Sequence, residues 1–102
     1  MWGVSGGKVV VRAIGPSLAA FGINGALLDP LLEIHNGDGS TLGSNDDWRD
    51  TQEADIEASG FAPNDEREAT IIATLPASNY TAIVRGKDAT SGVGLVEAYN
   101  VD

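Results

Sequence analysis

The sequence predicts an all-β fold, a small antiparallel β-sandwich with one short helix at about residues 51–59. Three observations carry this. Short apolar runs rich in Val, Ile and Thr recur at close spacing along the chain. Most of the 13 glycines sit between those runs and not inside them. Only the segment 51–59 carries helix punctuation at both ends. With 102 residues the chain is one domain, and 42% apolar residues give it one core with little to spare. The expected division is a flexible segment over residues 1–7 and a β-sandwich module over residues 8–102.

The first strand is expected over residues 8–14, Lys-Val-Val-Val-Arg-Ala-Ile. Its β-branched residues point to both faces, which suits an inner strand covered on each side. Gly15-Pro16-Ser17 ends it, because Pro16 has no N–H to give to a ladder. Residues 17–30 read as a connector, with Ser17 placed to cap one helical turn through Phe21. Leu18, Phe21, Leu27 and Leu28 are expected to form a lid over one end of the core. Asp29-Pro30 marks the next boundary.

A hairpin follows. Leu32 and Ile34 alternate with Glu33 and His35 in the period of a half-buried strand. Asn36-Gly37-Asp38-Gly39 supplies residues that tolerate φ > 0, and Thr41–Ser44 returns. Asn45-Asp46-Asp47 then forms an acidic exit before Trp48. In the helix, Asp50 or Thr51 is the N-cap, Asp50 and Glu53 fit a capping box, and Gly60 stops it. A second acidic loop spans residues 61–68. Further strands are expected over residues 69–75, 80–85 and 93–99, giving six in all. Being consecutive, the last three are expected to form an antiparallel meander.

Six Lys and Arg stand against 15 Asp and Glu, a net charge of −9. Such a surface repels phosphate backbones and anionic lipid, so nucleic acid is excluded as a partner. No run approaches the ~18 apolar residues of a membrane span, so membrane insertion is not expected. The same charge attracts cations, or simply keeps the domain in solution. There is no cysteine, hence no disulfide, thiolate metal site or Cys nucleophile. Residues 1–7 have neither the basic nor the apolar region of a signal peptide, so an export signal is expected to lie outside this chain.

Arg12-Ala13-Ile14-Gly15-Pro16-Ser17-Leu18 resembles the signature of a module repeated in very large secreted and surface proteins of environmental bacteria. The resemblance continues in order through Leu28-Asp29-Pro30, Ser44–Trp48, Glu68–Ile71, Tyr80–Val84 and Val96–Tyr99, and so covers nearly the whole chain. More loosely, the stretch from Leu32 to Gly86 is similar to pre-peptidase C-terminal β-sandwich modules. Those are non-catalytic, and some bind calcium or polymeric substrates. The resemblance therefore implies a secreted or cell-surface location and an accessory role. Two departures stand out. Members of the first family usually carry more β-sequence before the position of Lys8, which implies a sandwich lacking a strand. The turn at Pro76-Ala77-Ser78-Asn79 lacks the family's usual glycine.

The strongest constellation is the pair of acidic loops. Asn45, Asp46 and Asp47 with Asp65, Glu66 and Glu68 offer the oxygen ligands that calcium takes without strict geometry. Equally, Asp46 and Asp47 fit turn formers that bond backbone N–H groups. Arg12 and Glu97 are lone charges in apolar strands and are expected to pair across the sheet. His35 is the single histidine, which leaves neither a zinc set nor a catalytic triad. Trp48 suits a core anchor, and exposed it would suit stacking on a sugar. Trp2 and an open edge along residues 8–14 suggest self-association, as a homo-oligomer or fibre. The expected function is a non-catalytic structural or adhesive module, calcium-stabilised and self-associating. The alternative is a carbohydrate- or polymer-binding accessory domain of a secreted hydrolase, with polysaccharide as the partner.

Overall fold

Strand β2 (Gly7–Ile14) explains the architecture. Val9, Val11 and Ala13 are buried on one of its faces and Val10 on the other, the alternation a strand imposes. A strand with apolar residues on both faces must be central and covered twice. The computed structural model describes residues 2–101, and for Trp2 the backbone alone. In it β2 lies between β5 (Ala69–Leu75) and β7 (Leu95–Asn100), antiparallel to both. The second sheet has the order β1-β6-β3-β4, from β1 (Trp2–Val4), β6 (Ser78–Gly86), β3 (Pro30–His35) and β4 (Thr41–Asn45). All its pairings are antiparallel too. The fold is the expected small all-β sandwich with one short helix.

Two cores follow from the two faces of β2. Between the sheets, Val9, Val11 and Ala13 pack with Leu32, Ile34, Ile71 and Tyr80. On the outer face, Val10 packs with Ile72, Trp48 and Ile56 of helix α1 (Glu53–Ser59). Helix α1 thus covers the back of the three-stranded sheet through Ile56.

Several expectations are corrected. The last three strands are not a meander: β5 pairs with β2, β6 crosses to the other sheet beside β3, and β7 crosses back to β2. The reason lies at Pro76, which has no N–H for a hairpin ladder. The chain arches there between sheets, held by the Tyr80 hydroxyl donating to the Pro76 carbonyl at 2.6 Å. Because β7 returns to β2, residues 8–14 are no open edge. Trp2–Val4, within the segment expected to be flexible, pair with Tyr80–Ser78.

The capping box is absent. The helix begins at Glu53 after Gln52, with no side-chain cap. Glu53 is bonded to Arg49 instead, and the Gln52 amide both donates to the Ile72 carbonyl and accepts its N–H. Gly60 does close the helix in the left-handed region, φ 82°. Of the expected lid, Leu18 and Leu27 are buried, whereas Phe21 and Leu28 are exposed at 79% and 62%.

Candidate metal centre

The hairpin β3–β4 builds the site. Leu32 lies opposite Asn45, so at the open end of the hairpin Asp29, just before β3, comes alongside Asp46 and Asp47, just after β4. Asn45 is buried and fixes this exit. Its amide donates to the Asp47 carbonyl and the Thr51 hydroxyl, and its oxygen accepts the Thr70 N–H. The amide of Lys87 donates to the Asp29 carbonyl at 2.9 Å, and so brings its side chain to the same place.

One carboxylate oxygen from each of Asp29, Asp46 and Asp47 lies within 4.8 Å of the others. An ion about 2.4 Å from two oxygens holds them no more than about twice that distance apart, so the cluster has the span of a hard-cation site. The Lys87 ammonium stands 2.6 Å from Asp46 Oδ2. Oδ1 of Asp29 and Oδ1 of Asp46 are buried with no donor facing them, and a buried anionic oxygen without a partner is costly. Burial, a hydrogen bond shared with Asp46, and the negative charges of Asp46 and Asp47 push the Asp29 carboxyl up to about 6. Asp47 is raised by burial and by the charges of Asp46 and Asp50, while bonding to Asp46 raises Lys87. A proton shared between Asp29 and Asp46, or a cation, satisfies the orphaned oxygens. The residues therefore fit a metal ion, and the donor set is all oxygen.

Only Asp46 and Asp47 of the six expected ligands join this cluster. Asn45 is spent on the Asp47 carbonyl, the Thr51 hydroxyl and the Thr70 amide. Asp65 is engaged by Arg67 at 3.1 Å through each oxygen, which holds its carboxyl below the usual range. Glu66 is exposed, 3.5 Å from Arg49. Glu68 is fully buried, and both its oxygens are occupied. Oε2 accepts the amides of Gly15 and Ser17, and Oε1 accepts the Ser17 hydroxyl and the Asp65 amide. It ties the turn after β2 to the loop before β5 and has no lone pair facing the cluster. Ser17 accordingly does not cap the 3₁₀ turn of Pro16–Phe21.

Arg12 and Glu97 are cross-strand neighbours between β2 and β7. Arg12 Nη2 and Nε donate to Glu97 Oε1 at 2.6 and 3.1 Å, and the Tyr99 hydroxyl donates to Oε2 at 2.8 Å. Phe61 stacks on Tyr99 with centroids 4.4 Å apart. Arg12 and Glu97 line a cleft of about 220 Å³ together with Phe21, Asn64 and Leu95. Trp48, 3% exposed, offers no ring to a polymeric ligand; Arg49 covers it, 4.3 Å from the ring centroid. The Trp2 side chain lies outside the described residues. No helix among those residues is long and apolar enough to cross a membrane.

Comparison of the chain with protein-family models, with curated proteins and with solved structures gave no match.

Proposed function

We propose that this chain is a non-catalytic structural or adhesive module of a secreted or cell-surface bacterial protein, stabilised by calcium bound at Asp29, Asp46 and Asp47, and self-associating. The observation that carries the cation is the convergence of three carboxylates from two chain segments around two buried oxygens that lack donors. Oxygen-only donors on loop ends suit calcium, whose flexible coordination draws further ligands from backbone carbonyls and water. In the uncomplexed chain Lys87 supplies part of the missing positive charge.

The module reading draws support from where the residues of the family resemblance lie. Gly15 passes so close to the Leu27 carbonyl that a Cβ there would collide with it. Ser17 is held by Glu68, Asn45 pins the acidic exit, and Trp48 seals the outer core. These are scaffold duties, in keeping with a repeated domain selected for its shape. Calorimetric titration tests the cation. We expect one calcium bound per chain, with binding lost in Asp46→Asn and strengthened in Lys87→Met, which removes the competing ammonium. Absence of binding to the unmodified chain would contradict the proposal.

A further inference from the structure

Six of the exposed large apolar side chains, Phe21, Ile23, Leu28, Val93, Leu95 and Val96, come from two short segments; of the other such residues described, only Leu42 lies elsewhere. The two segments are joined. Leu27 N donates to the Val93 carbonyl and Val93 N donates to the Gly25 carbonyl, each at 2.8 Å. Phe21 and Leu95 border one cleft, and Ile23 and Leu28 border a hollow beside it. Five of the six therefore gather where the two segments meet, at an end of the sandwich; Val96, opposite Ala13, points from the other face of β7. Contiguous exposed apolar surface of this kind marks an interaction site.

Charge identifies what covers it. No charged residue stands between Ala13 and Leu28 or between Ala89 and Val96, so all fifteen carboxylates lie outside these two segments. Of the charged residues that border the patch, Arg67 is paired with Asp65 and Arg12 with Glu97, and Glu68 is fully buried. At a net charge of −9, two copies repel one another across any face that carries carboxylates. They can meet without that repulsion across a face that is apolar and uncharged, and such a face matches its own copy. Strand β7, which carries Leu95 and Val96, also ends its sheet with no Pro or Lys to blunt the edge.

Resting on the reading of the chain as a self-associating module, we propose that this surface is the contact between two copies of the chain, packed through Phe21, Leu28 and the start of β7. The contact does not involve the acidic cluster, so it forms without calcium. Sedimentation equilibrium of the chain, in chelator and in calcium, tests it. We expect a reversible dimer in both. Phe21→Glu and Leu28→Glu place a carboxylate on side chains that are already exposed, which leaves the fold intact and makes burial at the contact costly. Each should weaken dimerisation by about tenfold or more. Leu42→Glu, on β4, should leave it unchanged.

A monomer throughout, a dimer formed only with calcium, a dimer indifferent to Phe21→Glu and Leu28→Glu, or one lost equally in Leu42→Glu would each overturn the assignment. Failure of the cation reading is separable, because it leaves a calcium-independent dimer intact.

Discussion

Glu68 grips Ser17 by both of its donors: Oε2 accepts the amide at 2.9 Å and Oε1 accepts the hydroxyl at 2.7 Å. With Gly15 N also on Oε2, a fully buried carboxylate is satisfied by donors that the turn after β2 delivers. Glu68→Gln would set an NH₂ against those same donors and leave buried groups unpaired. The expected loss is about 2–4 kcal/mol of unfolding free energy, read from urea denaturation. Ser17→Ala should lose about 1 kcal/mol, since one hydrogen bond goes and the backbone bonds stay. Equal stability of Glu68→Gln and the unmodified chain would contradict this role.

Arg12 carries the next expectation. Its pair with Glu97 is about three-quarters buried, with side chains 20% and 25% exposed, and breaking it from one side leaves Glu97 without its cation. Arg12→Ala should therefore cost about 2–3 kcal/mol, below the range for fully buried pairs. Arg85, more than half exposed and 3.4 Å from Glu33, makes a weak surface contact, and Arg85→Ala should cost less than about 0.5 kcal/mol. Chemical denaturation of both variants decides it, and comparable losses would refute the distinction.

Much of the fold was legible because apolar alternation and turn residues report faces and boundaries. Residues 69–75 form β5 over the expected span, and Gly60 ends the helix as its lack of a Cβ allows. Strand order was not legible, since the pattern that buries a strand does not name its partner. Leu75 and Tyr80 both face the core, but nothing in the run itself shows that Pro76 arches the chain to the other sheet. The helix starts after Gln52 and not after Asp50 or Thr51, and the Gln52 side chain reaches a strand, a contact 20 residues away that local signals cannot register. At the acidic site, Asp46 and Asp47 were visible as a cluster. In the sequence Asp29 marks only a boundary, yet the hairpin holds the clue: with Leu32 opposite Asn45, residue 29 falls beside residues 46–48. Glu68 looked like a ligand because burial, which turned it inward, is not written in an acidic loop.

The acidic cluster also sets a pH dependence. Asp29 has its carboxyl raised from 3.8 to about 6 in the folded chain, so between those values the folded state binds more protons than the unfolded one. Linkage then makes stability fall as pH rises from about 4 to about 6. The effect should appear in chelator and shrink in Asp29→Asn. Calcium competes with the proton, so its stabilisation should grow with pH over the same window and its binding should release protons near pH 6. A stability profile in chelator that is unaltered by Asp29→Asn would contradict the assignment.

In the proposed function a cation completes the site at Asp29, Asp46 and Asp47. Thermal unfolding of the chain at neutral pH, in millimolar calcium and in chelator, tests it most directly. A ligand that binds only the folded state at a hundredfold excess over its Kd stabilises by about 2.7 kcal/mol, which raises the melting temperature of a domain this size by roughly 10 °C or more. That rise is expected in the unmodified chain, with little or none in Asp46→Asn and none when magnesium at the same concentration replaces calcium. An unmodified chain that melts at the same temperature in calcium and in chelator would contradict it.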